Sequence, residues 1–208
     1  QPASPAFRYR GLVLELDALT VPPQGMVELI DWLAKAGGNC VLVPARWWPG
    51  LRSRLLRHIK RRGLILFLGH HDADVFLPPA EYFGAHPEFF ALVGGRRRDR
   101  APGGGPPQVC VSNSGAKERF ARNLVRFADE NPEADWIGVV PNEGEGWCEC
   151  PGCRRLGPSR ESWLRPGRRA GTEQYLHLIE AAAPEFRRHH PDKVLALWAE
   201  GPTLDPPL

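Results

Sequence analysis

The sequence predicts an α/β fold: a partial (β/α)8 TIM-type barrel with about five main parallel strands, joined by crossover helices and incomplete at its C-terminal end. Three observations carry this reading. Apolar runs with little alternation recur at residues 10–17, 40–44, 64–69, 136–141 and 194–198, as expected of strands covered on both faces. Segments with helical spacing lie between them, so successive strands require parallel pairing and right-handed crossovers. No glycine-rich dinucleotide fingerprint follows the first strand, which counts against the alternative, an open doubly wound sheet. A closed barrel typically needs ~250 residues and this chain has 208, so the reading is roughly the first five-eighths of a barrel, a fragment of a longer protein.

The elements follow in order. Residues 10–17 form the first strand, and Pro22 and Pro23 open a helix in which Met26, Leu29, Ile30 and Leu33 share a face until Gly37 and Gly38 end it. Residues 40–44 are the second strand. Leu51 to Arg62 is a basic amphipathic helix with Leu51, Leu55, Leu56 and Ile59 inward, stopped by Gly63, and residues 64–69 are the third strand. From His70 to Pro107 the periodicity is lost among Pro, Gly and Arg around Tyr82, Phe83, Phe89 and Phe90; such an insertion is a disordered lid or a substrate-side loop. Gln108 to Val111 is a short accessory strand, and Ala116 to Asp129 a helix with Phe120, Leu124 and Phe127 on one face. The strand at 136–141 precedes a helix over 172–188, broken or kinked at Pro184, and a last strand at 194–198.

With 42% apolar and 25% charged residues the chain is globular and most simply one domain, residues 1–208. Its net charge of +3 comes mostly from arginines grouped at 52–62, 96–100 and 165–169, among Gly and Pro. Such scatter reads as solvated loops and helix faces and argues against nucleic acid. No apolar run approaches the ~20 residues of a membrane span, and no charged-then-apolar leader precedes Arg8. Because the chain starts at Gln1, removal of a leader or an earlier domain is expected, and a secreted or periplasmic location stays open.

The densest chemistry follows residues 136–141. Asn142 and Glu143 lie where parallel strands present their working loops, and Glu143 is positioned as a general acid that protonates a leaving-group oxygen, with Trp147 and nearby carboxylates to hold its proton. The structural alternative is a turn cap or an arginine partner. Arg46, Trp47 and Trp48 end the second strand, where indole faces suit sugar rings and a guanidinium suits a sugar carboxylate; packing under the long loop is the competing reading. His70 and His71, followed by Asp72 and Asp74, end the third strand as candidate hydroxyl or metal ligands, or as ordinary surface histidines. Cys148, Cys150 and Cys153 have metal-ligand spacing, and Cys110 would complete a structural zinc site; a local disulfide with a spare thiol remains open. The chemistry itself requires no cofactor.

The sequence resembles a bacterial glycoside-hydrolase-like family of unknown function, related to α-glucuronidases and β-N-acetylhexosaminidases. The resemblance rests on Phe7-Arg-Tyr-Arg-Gly11, Ile59 to Leu66 with Gly69-His70, Tyr82 to Leu92, Gln108 to Asn113, Asn131-Pro132, and Pro141-Asn-Glu-Gly144 with the three thiols. It implies a (β/α) barrel acting on a carbohydrate. In the related hexosaminidases an Asp-Glu pair closes the fourth strand, the Glu being the general acid; Asn142-Glu143 resembles that pair. The family more often shows Asn-Asp there, and Gly-His-Gly-Trp where this chain has His70-His71.

These features predict a glycosidase acting on a polysaccharide or glycoconjugate, with Asn142 orienting the acid or the substrate. Glu200 is the best partner carboxylate, ahead of Asp17 and Asp74. A separation of ~5 Å would imply retention and ~6.5–9.5 Å inversion, while a substrate-assisted route needs no enzymic nucleophile. The alternative is a non-catalytic carbohydrate-binding barrel with a groove lined by Trp47, Trp48 and Trp147.

Overall fold

A computed structural model describes residues 6–14, 22–144, 146–156, 161–164 and 171–207. In chain order the elements are β1 (Gly11–Val13), α1 (Pro23–Lys35), β2 (Cys40–Val43), α2 (Trp48–Arg61), β3 (Ile65–Leu68), α3 (Pro79–Tyr82), β4 (Leu92–Val93), β5 (Arg96–Arg97), α4 (Ser114–Glu130), β6 (Trp136–Gly138), α5 (Pro151–Leu156), α6 (Thr172–His189) and β7 (Val194–Ala196). Five of the strands form one parallel sheet in the order β1-β2-β3-β6-β7.

The register explains why the strands lack alternation. Leu12, Leu14, Val41, Val43, Leu66, Leu68, Ile137 and Val139 face one side and pack with Met26 and Ile30 of α1, Leu55 and Ile59 of α2, Phe120 and Leu124 of α4, and Leu178 and Phe186 of α6. Residues one step out of phase face the other side, where Cys40, Leu42 and Phe67 cluster with Ile65, Trp136, Ala196 and Trp198. Both faces are apolar, but the long helices cover only one. A sheet whose order never reverses and whose helices share one face lacks the switch point of a doubly wound fold. It is nonetheless open, because among the described residues β1 and β7 do not pair and no sheet closes.

Close backbone contact joins β3 to β6. Gly69 takes a φ of +145°, and a methyl group there would stand 2.5 Å from the Gly138 Cα. Only glycine fits.

Three expectations change with the structure. The insertion at 70–107 is a packed excursion rather than a disordered lid: Phe76, Phe89 and Phe90 are buried, and β4 and β5 form a small antiparallel hairpin. Gln108 to Val111 does not join the sheet, its only bridge pairing Val109 with Phe90, so β6 is the fourth sheet strand and β7 the fifth. Pro184 neither breaks nor ends α6, since α6 packs along α4 and such burial outweighs the roughly 3 kcal/mol cost of an interior proline. The helix α5 has no counterpart in the sequence reading. Asp17 and Arg165 to Arg169 lie outside the described residues. No helix among the described residues is long and apolar enough to cross a membrane.

Candidate functional site

Parallel strands end on one side, so the segments after β2, β3 and β6 converge there. They border a cavity of about 430 Å³ lined by Arg46, Trp47, His70, His71, Glu143 and Gly144, with Pro102, Gly103, Gly105 and Pro106 of the long excursion also lining it.

Asp72, fully buried, does not line the cavity but holds the turns that do: its carboxylate accepts the main-chain N–H groups of Ala45 (2.7 Å), His70 (2.9 Å) and Arg46 (3.3 Å). A buried carboxylate is tolerable when such donors surround it. It thereby ties the β2 turn to the β3 turn. Asp74 accepts from the Arg46 guanidinium at 3.0 Å; burial pushes its carboxyl above the ordinary range, and Arg46 pulls against that rise.

His71 Nδ1 lies 3.0 Å from the Pro141 carbonyl. A carbonyl only accepts, so Nδ1 carries the proton and Nε2 points to Glu200, 3.7 Å away. The His70 and His71 rings both stand edge-on to Trp198, with centroids 4.8 and 5.8 Å from it. Glu200 is therefore coupled to the cavity through His71. It does not line the cavity itself, and its side chain is 59% exposed.

Several expected site residues have other places. Asn142 is buried and both ends of its amide are bonded: Oδ1 accepts from Asp74 N–H at 2.9 Å and Nδ2 donates to the Pro107 carbonyl at 2.8 Å. It holds the walls together. Trp48 is 0% exposed, the first residue of α2, with its indole N–H on Glu133 at 2.8 Å; it belongs to the core. Trp147 is also buried, edge-on to Tyr175 and pressed against Gly171, so it neither lines the cavity nor shields Glu143. Trp47 and Glu143 do line it, Trp47 half-buried and Glu143 exposed. Among the described residues Glu143 makes no hydrogen bond of its own.

A second centre lies behind the site. Cys110, Cys148, Cys150 and Cys153 are buried with their sulfurs all within 4.8 Å of one another. All four are free thiols in this structure. From Cys110 the sulfurs of Cys148, Cys150 and Cys153 stand at 3.6, 3.7 and 3.8 Å. A tetrahedral ion with bonds of about 2.3 Å to sulfur would set them about 3.8 Å apart, so these thiols could bind a metal such as zinc. The surroundings suit thiolates: main-chain N–H groups of Leu92, Ser112 and Cys153 donate to the sulfurs of Cys148, Cys153 and Cys150 at 3.3–3.4 Å, and the Arg97 guanidinium lies beside Cys110. As thiols alone they divide their protons unequally. Hydrogen bonding from Cys148 and Cys153 pulls Cys110 far down, and the same contact pushes Cys148 up to about 11.

The fold and this edge define an α/β protein with a polar cavity at the carboxyl ends of its strands and a thiol cluster beneath one wall. Residues 48–208 match the family described as a domain of unknown function, DUF4838, and the chain belongs to that family. No curated protein matches it.

Proposed function

We propose that the chain is the acid-bearing part of a glycoside-hydrolase-type (β/α) barrel that cleaves a polysaccharide or glycoconjugate, with Glu143 as general acid. The observation that carries this reading is Glu143 on the wall of the cavity, just beyond the fourth sheet strand, with Trp47, Arg46 and two histidines around it. A cavity of about 430 Å³ suits one or two sugar rings, and the Trp47 indole offers a flat face for one of them. Arg46 supplies a cation for a carboxylate or an electron-rich hydroxyl. A bound ring would shut Glu143 off from water, and a carboxyl so covered holds the proton that it must donate. Glu200, reached through His71, is the candidate second carboxylate. The barrel reading is supported by the unreversed strand order, by helices on one face only, and by the second apolar cluster around Phe67 and Trp136, which would form the barrel interior.

The same proposal gives the four thiols to zinc in a structural role. Four protein ligands close a tetrahedral ion and leave no position for substrate.

The test is a screen of chromogenic glycosides, uronides and acetamido sugars included, with wild type and Glu143→Gln side by side. Turnover that is equal in the two removes Glu143 from the mechanism. One observation favours a second reading, carbohydrate binding without catalysis: Glu143 is the only carboxylate lining the cavity among the described residues. Sugar binding with no turnover of any glycoside would select it.

A further inference from the structure

We infer that the metal held by Cys110, Cys148, Cys150 and Cys153 is a lock that fixes the Glu143 loop against the wall of the cavity. The inference rests on the zinc reading for its ion, and on the reading of Glu143 only for its catalytic consequence.

The connections are short. Two residues before Cys110, the Gln108 side chain donates to the Asn142 carbonyl at 2.7 Å, and the Pro107 carbonyl accepts from the Asn142 side chain at 2.8 Å. On the other side of Glu143, Cys148 accepts the Leu92 N–H at 3.3 Å through its sulfur, while Glu149 N–H donates to the Leu92 carbonyl at 2.7 Å and its carboxylate accepts from Gly94 N–H at 2.9 Å. Segments 89–94, 107–112 and 142–153 therefore meet at the four sulfurs. Glu143 sits in a short span pinned at Asn142 and at Cys148. Gly144 and Gly146 within that span have φ values of +95° and +109°, backbone that other residues rarely adopt. Because Glu143 has no hydrogen bond of its own among the described residues, its direction is set by how the two ends of that span are held. One end is a hydrogen-bonded amide and the other is a metal ligand.

Four sulfurs around a divalent ion carry a net charge of −2, and the protein meets it with three N–H···S bonds and the Arg97 guanidinium. Without the ion, four thiols brought so close have only weak donors and acceptors for one another, so the junction loosens where the loop depends on it most. The main sheet with α1 and α2 shares one apolar core with the four cysteines, but it is also held by strand pairing and by the packing of Met26, Ile30, Leu55 and Ile59. Cys40, on the opposite face of the sheet, provides an internal control.

The experiment uses the full chain purified without added metal. Its zinc content is measured, and hydrogen exchange is followed before and after zinc is withdrawn by a strong chelator under reducing conditions. About one zinc per chain is expected. Withdrawal should speed exchange in 89–94, 107–112 and 142–153 roughly tenfold or more while β2, β3 and α2 keep their protection, and added zinc should restore it. Cys110→Ser should reproduce the loosened state, and Cys40→Ser should not. A chain without zinc whose four clustered thiols all react overturns the lock, as does zinc whose removal leaves these segments unchanged or unfolds β2 and α2 with them. Zinc-dependent protection in a protein that hydrolyses no glycoside upholds the lock and removes the catalytic role of Glu143 instead.

Discussion

The Asn142 side chain holds the main chain of Asp74: its Oδ1 accepts the Asp74 N–H at 2.9 Å, while its Nδ2 reaches the Pro107 carbonyl at 2.8 Å. One buried amide thus joins the turn after β3, the end of β6 and the long excursion. Asn142→Ala leaves a buried donor and a buried acceptor without partners and should lower stability by about 1–3 kcal/mol, read as a lower denaturant midpoint. Asn142→Asp keeps the acceptor for Asp74 but sets a carboxylate oxygen against the Pro107 carbonyl, and should be no less damaging. A change under about 0.5 kcal/mol in the alanine variant would contradict this role.

Glu143→Gln should reduce kcat/KM on an activated glycoside by about 100- to 10,000-fold, the usual contribution of a general acid. Glu143 is exposed and carries no hydrogen bond of its own among the described residues, so stability should move by less than about 0.5 kcal/mol. The two readouts separate a chemical role from a structural one.

Adjacent tryptophans should behave differently. Trp48→Ala empties a core site and removes the indole N–H from Glu133, which keeps Arg52 as a partner, at a cost of about 3–5 kcal/mol. Trp47→Ala should be far milder to the fold while raising KM or Kd for sugar. Equal losses of stability in the two variants would refute the distinction.

Burial raises the Asp74 carboxyl above its ordinary value of 3.8, against the pull of Arg46. A carboxyl with a raised folded-state pKa takes up its proton more readily folded than unfolded, so its ionisation weighs on the fold at neutral pH, and that burden lifts as pH falls through the raised pKa. Asp74→Asn abolishes this titration. The stability of wild type relative to the variant should therefore rise between pH 7 and about pH 4 in paired denaturant titrations, and a fall over that window would contradict the assignment.

Much of the sheet was legible because its strands are apolar on both faces, which suits covered parallel strands. The convergence of Arg46, His70, His71 and Glu143 followed from the same fact, since parallel strands end together. What burial does to individual side chains was less visible. Trp48 continues the stripe of Leu51, Leu55 and Ile59, and that spacing could have marked it as core had α2 been started three residues earlier. Trp147 carried no such signal, because the partner that buries it, Tyr175, is distant in sequence and fixed only by tertiary packing. The thiol cluster was half legible: three ligands stand together in the sequence, while Cys110 arrives through an excursion whose path depends on Phe89 and Phe90 packing beneath it.

The contact between Gly69 and Gly138 reaches further than its size suggests. It brings two bare backbones together beside the Phe67 ring, just before His70 and the Glu143 segment leave the sheet. A single methyl group on Gly69 would act as a wedge between the two strands, prising the histidines from the acid before any polar contact had changed.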